Sequence, residues 1–146
     1  MNDDDFVDAF EACVFAATDF HHADHVRLAW IYLDEHPLIE AIERFTTSLQ
    51  RFACHHGVPG LYHETITWAY LLLIHERMQR DAAPKDWDSF RRANPDLFDR
   101  KPSLLDRYYA PGTLNSDLAR RIFVLPDAAP SVDAAQTTPS PRNCPM

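Results

Sequence analysis

The sequence predicts an all-α protein: a single-domain helical bundle of four main helices plus short C-terminal helices over residues 1–126, with a disordered tail over 127–146. Two observations predict it. Apolar residues recur at three- and four-residue spacing almost everywhere up to about residue 80, while no strand-length stretch alternates convincingly. The breaks in that pattern fall at helix-ending and helix-opening residues, such as His36-Pro37 and the Gly57-Val58-Pro59-Gly60 turn. A chain of 146 residues, 46% of them hydrophobic, has the apolar surface for a sizeable core without disulfide staples.

The first helix is expected from Asp5 to Ala17, with Phe6, Phe10, Cys13 or Val14, and Ala17 on one face and the aspartate run at its positive end. Asp19 is a good N-cap for a second helix reaching Glu35 through Val26, Ala29 and Leu33. Pro37 suits the first position of a third helix, whose stripe Leu38, Ile42, Phe45, Leu49, Phe52 ends near His56-Gly57. A fourth helix is expected from Leu61 to Arg80, burying Ile66, Tyr70, Leu73 and Ile74. Beyond Ala82-Ala83-Pro84 the pattern shortens. Asp86 can cap a helix to Ala93, Pro102-Ser103 can open one to Tyr109, and Ser116 can cap a last one. From Asp127 the chain is rich in Pro, Ala, Ser and Thr, too poor in large apolar residues to offset the entropy of ordering.

Composition excludes several function classes. The formal net charge of -8 repels phosphate backbones and the arginines form no basic stripe, so no nucleic-acid partner is expected. With three glycines there is no phosphate-cradling loop and no dinucleotide fingerprint, so no nucleotide cofactor is expected. No apolar run approaches the about 20 residues that span a bilayer, and the acidic N-terminus is unlike a secretion signal. Cys13, Cys54 and Cys144 are odd in number and without C-x-x-C spacing, which points to a reducing, cytoplasmic setting.

The histidines carry the functional argument. Short connections make successive helices antiparallel neighbours, so the second and fourth helices run the same way and share an end. His21, His22 and His25 open the second helix, His63 and Glu64 open the fourth, and His55-His56 close the third at that same end. By helical spacing His22, His25, His56 and His63 point inward, His55 faces solvent, and His36 and His75 belong nearer the other end. An imidazole at a helix N-terminus is disfavoured as a cation, and a neutral ring binds metals and accepts protons. His22-x-x-His25 with His63 across the bundle makes a candidate three-histidine set for a divalent metal, Fe or Zn. Glu64, Glu11, Asp24 and His56 are its further ligands or supporting partners. The zincin and di-iron patterns are both missing.

The segments Phe20-His21-His22-Ala23-Asp24-His25 and Tyr62-His63-Glu64-Thr65-Ile66-Thr67 read as F-x-H-x-x-H and Y-H-x-T-x-T. With Asn94-Pro95-Asp96-Leu97, Tyr108-Tyr109-Ala110-Pro111 and Val124-Leu125-Pro126-Asp127, they resemble an uncharacterised family of short bacterial helical proteins. The resemblance runs from about residue 5 to Asp127. It selects His22 and His25 over His21, and His63, Thr65 and Thr67 over His75, and it implies no particular activity.

These readings lead to a small cytoplasmic enzyme or enzyme-like protein acting on a small molecule in a histidine-rich pocket. His22, His25 and His63 would bind the metal, with His63 and Glu64 catalytic and Tyr62, Thr65, Thr67 and Tyr109 holding substrate. In a metal-free version a neutral histidine is the general base. The alternative is a non-catalytic protein- or ligand-binding helical module whose histidines tune stability. Oligomeric state is left open by the sequence.

Overall fold

In the computed structural model, which describes residues 1–81 and 86–128, apolar helical stripes become six helices with no strand among the described residues. They are α1 (Asp3–Glu11), α2 (His22–Glu35), α3 (Leu38–His55), α4 (Glu64–Arg80), α5 (Trp87–Ala93) and α6 (Asp117–Arg121), with short 3-10 turns between them. None of these helices is long and apolar enough to cross a membrane.

Helix α1 is shorter than its apolar spacing predicts. It stops at Glu11 because Cys13 turns into the left-handed region at φ 57°. There Cys13 N–H donates to the Phe10 carbonyl and Val14 N–H to that of Ala9, the paired bonds of a Schellman stop. Val14 is left 71% exposed, and Ala17 opens a separate 3-10 turn, Ala17–Asp19. Glycine is the usual residue at such a position and would have marked the stop in the sequence. Helix α3 ends by the same device with the expected residue, Gly57 at φ 74°.

The caps of α2 and α4 also shift from expectation. Asp19 lies in the 3-10 turn, and α2 starts after His21, whose backbone N–H donates to the Asp24 carboxylate at 2.9 Å. Pro59–Leu61 forms its own 3-10 turn, so α4 starts at Glu64 with His63 as its cap rather than at Leu61. Asp86 and Ser116 cap α5 and α6 as expected, accepting from Ser89 N–H at 2.7 Å and Ala119 N–H at 3.1 Å. The segment opened by Pro102-Ser103 becomes only a 3-10 turn, Leu104–Arg107, stopping short of Tyr109.

Helix α2 is buried along Val26 and Leu28–Leu33 and packs between α3 and α4. Phe6 and Phe10 of α1 join Phe20 and Phe52 in an aromatic group with ring centroids 4.7 to 6.0 Å apart. Helix α4 is covered on two sides. Leu71 and Ile74 are in the main core, while Ala69 meets Leu105 and Tyr109 of the C-terminal segment in a second cluster.

That C-terminal segment is tied down by polar groups as well as apolar ones. The fully buried Thr65 hydroxyl donates to the Ile122 carbonyl at 2.7 Å and accepts from Val124 N–H at 3.0 Å. Tyr109 donates its phenol to the Val124 carbonyl at 2.8 Å. Asp127 accepts from Ala110 N–H at 2.8 Å and the Thr113 hydroxyl at 2.7 Å. Asp127 and Ala128 N–H both reach the Tyr108 carbonyl at 3.0 Å, although the composition places them in the tail expected to be disordered. The rest of that tail, 129–146, lies outside the described residues. Arg77 of α4 holds the Asn94-Pro95-Asp96-Leu97 turn with a two-pronged bond to Asp96, at 2.8 and 2.9 Å, and a third to Asn94 at 3.0 Å.

Removing one hydroxyl tests the tie. Thr65→Val keeps the shape of the side chain but leaves the Val124 N–H without its acceptor, an expected loss of about 1–3 kcal/mol in urea unfolding. A midpoint unchanged from the wild type would show that Thr65 does not hold the C-terminal segment.

Candidate functional site

The first halves of α2 and α4 and the second half of α3 line one cavity of about 590 Å³. This is the end where the topology argument places the histidines. Its floor is apolar and buried, formed by Val26, Ala29, Phe45, Leu71 and Ile74. Its exposed lining residues, among them Thr18, His21, Val58, Leu61 and Arg100, form its mouth. His22, His25, Tyr62, His63, Thr67 and Tyr70 add polar atoms to the walls. A largely apolar cavity of several hundred cubic ångströms with a few converging polar groups has the character of a small-molecule site.

The histidines in it do three different jobs. At the start of α4, the His63 Nδ1 accepts from Ile66 N–H at 3.1 Å, capping the helix in place of the usual Ser or Asp. An accepting Nδ1 leaves the proton on Nε2, which donates to the Leu114 carbonyl at 2.7 Å. Both ring nitrogens of His63 are therefore engaged. His22 donates from Nε2 to the Leu97 carbonyl at 2.8 Å and meets the Tyr70 ring edge-on at 5.0 Å. Burial lowers its pKa, the bond to Leu97 opposes that shift, and Arg100 adds to it.

His25 is different: among the described residues its ring nitrogens have no hydrogen-bond partner. One turn into α2, its ring packs edge-on against Phe20 at 4.7 Å and its remaining accessible surface borders the cavity. Burial first, then the proximity of His22, with Arg100 adding to them against the opposing Asp24, brings its pKa down to about 4. His25 is thus a neutral imidazole with hydrogen-bonding capacity to spare at the wall of the cavity.

The three-histidine metal site expected from the sequence does not assemble. Among the described residues no group of three His, Cys, Asp or Glu is placed to hold a metal ion. His63 has no free nitrogen, and His22 has given one to Leu97. The supporting carboxylates are engaged elsewhere: Glu64 accepts from the Tyr62 phenol, Glu11 from the Tyr32 phenol, and Asp24 from His21 N–H. His56 packs against Phe52 at 4.4 Å, with Nε2 buried and unpartnered, and is not part of the cavity wall. The donor set does not fit a divalent Fe or Zn centre.

The expected substrate contacts divide in the same way. Tyr62 and Thr67 reach the cavity. Burial and the bond to Glu64 push the Tyr62 phenol well above its ordinary pKa, so it keeps its proton. Thr65 and Tyr109 do not serve the cavity, since both hydroxyls hold the C-terminal segment. Glu64 acts on Tyr62 from outside the lining, and His63 shapes the wall without a nitrogen to offer. Sequence reasoning missed Arg100, which lines the mouth from the irregular stretch after Phe98, where no periodic pattern singles it out.

Compared with protein-family models, with curated proteins and with solved structures, the chain matches none.

Acid sensitivity tests the state of His25. The unfolded chain takes up a proton at the ordinary histidine value of 6.5, the folded one only at about 4. Stability held above pH 6.5 is therefore lost as pH falls toward 4, by up to about 3 kcal/mol. His22 contributes in the same direction. His25→Phe removes the larger part, so its urea midpoint should fall less than that of the wild type between about pH 7 and about pH 4.5. Equal falls in the two proteins would contradict a buried, neutral His25.

Proposed function

We propose that the protein binds a small, largely apolar molecule in the cavity at one end of the bundle formed by α1 to α4. The observation that carries this reading is the pairing of an apolar cavity of about 590 Å³ with His25, whose nitrogens are unpartnered beside it. A ligand that supplies the hydrogen bond His25 lacks would gain affinity from it at an apolar wall. The Tyr62 phenol, its proton directed to Glu64, offers lone pairs as a second polar contact.

This reading keeps the small-molecule partner expected from the sequence and changes which residues meet it. His25, Tyr62 and Thr67 face the ligand, and His63 forms part of the wall. Should a reaction occur there, His25 is the proton acceptor and Tyr62 the proton-bearing phenol, a metal-free arrangement. A base of pKa about 4 is weak, so binding is the stronger reading than catalysis. Free Cys13 and Cys54 suit a reducing compartment such as the cytoplasm.

The neutral apolar fluorophore N-phenylnaphthylamine tests the cavity directly. Saturable binding of one molecule per chain is expected, weakened at least about tenfold by Val58→Trp at the mouth or Ala53→Trp in the wall, with helical circular dichroism retained. No saturable binding, or equal binding by both folded variants, would overturn the reading.

A further inference from the structure

Arg100 stands at the mouth of this cavity without an ion-pair partner among the described residues. Other arginines packed on the C-terminal segment or its neighbours are committed: Arg77 and Arg107 to Asp96, and Arg120 to the Gly60 carbonyl. Asp99 and Asp106 are near enough to influence Tyr70, yet neither forms an ion pair with Arg100, and the Asp106 carboxylate is occupied by Ser103 N–H at 3.0 Å.

We propose, resting on the small-molecule reading above, that the ligand is an amphipathic monocarboxylate, its apolar body among Phe45, Leu49 and Leu71 and its carboxylate held between Arg100 and His25. The chemistry of the two ends demands different halves of one molecule. The deep walls carry no charged group, so an ionised head there would lose its hydration without replacement. At the mouth a guanidinium presents five N–H donors in the fork that suits a carboxylate, and the His25 ring adds a donor that nothing else on the chain uses.

Local charge runs the same way. The whole chain is strongly acidic, at -8, and its field alone disfavours an anion. Within the lining itself Arg100 is the one residue of permanent charge among the described residues: it acts on both His22 and His25 as a positive neighbour, opposed by Asp24 at His25 and by Asp99 and Asp106 at Tyr70. A cationic head would meet Arg100 and a neutral ring, whereas a carboxylate meets two donors.

Decanoate and decanol, which share one apolar chain and differ in the head group, separate this proposal from the reading on which it rests. With the full chain and N-phenylnaphthylamine as the displaced probe, decanoate should compete at concentrations about tenfold or more below those of decanol. Arg100→Gln should bring decanoate to the level of decanol, each measured against that variant's own probe affinity, and Arg100→Lys should restore part of the preference. If decanol equals or outcompetes decanoate, or the preference survives Arg100→Gln, the carboxylate assignment is overturned and the apolar cavity stands. If neither compound nor the probe binds, the cavity reading fails, and the assignment with it.

Discussion

The start of α4 is the point on which this structure turns. A helix begins with backbone N–H groups that have no partner in the helix, and here one of them is met by an imidazole. Once the His63 Nδ1 accepts from Ile66, its Nε2 must donate, and the available acceptor is the Leu114 carbonyl 51 residues later. Two residues on, Thr65 repeats the arrangement with Ile122 and Val124. Three hydrogen bonds from one helical turn thus join the helix start to the C-terminal segment, at a place where Thr65 is fully buried and His63 nearly so. With that segment come Leu105 and Leu114, which close one wall of the cavity. The same ring that caps α4 therefore also fixes the shape of the pocket.

Chemistry at the pocket follows from which groups the fold leaves free. A histidine with two hydrogen bonds is a structural strut, one with a single bond is half committed, and one with none faces the cavity; His63, His22 and His25 occupy these three conditions in turn. Burial suppresses the charge of His25 and leaves its ring neutral, with its hydrogen-bonding capacity unspent among the described residues. Arg100 brings a positive charge to the rim of an otherwise uncharged cavity. The proposed preference for a ligand with one apolar end and one acidic end rests on this separation of environments.

Much of this architecture was legible in the sequence. Periodicity located α2, α3 and α4, Asp86 and Ser116 marked the starts of α5 and α6, and antiparallel packing brought His22, His25 and His63 to one cavity. Where the reading missed, the reasons are local and physical. Cys13 takes a left-handed conformation usually left to glycine, so nothing announced the end of α1. His21 and His63 cap helices where Asp19 and a start at Leu61 were expected. The three-histidine set is not gathered among the described residues, and spacing could not foresee that: it reports which face a histidine occupies and is silent on which carbonyls meet it. Leu97 and Leu114, which take the ring protons, are separated from His22 and His63 by 75 and 51 residues. Arg100, Thr65 and Tyr109 depended likewise on long-range contacts. His22 with Leu97, and Thr65 with Ile122 and Val124, are joined by these bonds.

The central claim is that His63 is a latch with both nitrogens engaged, and its tautomer reports this directly. Two-bond nitrogen–proton correlation spectra of the imidazole rings, recorded on the full chain near pH 7 with and without Zn(II), distinguish a protonated Nε2 from a protonated Nδ1. A latched His63 carries its proton on Nε2, and added Zn(II) leaves its signals unmoved. A proton on Nδ1, or a His63 ring that shifts on binding the metal, would contradict it.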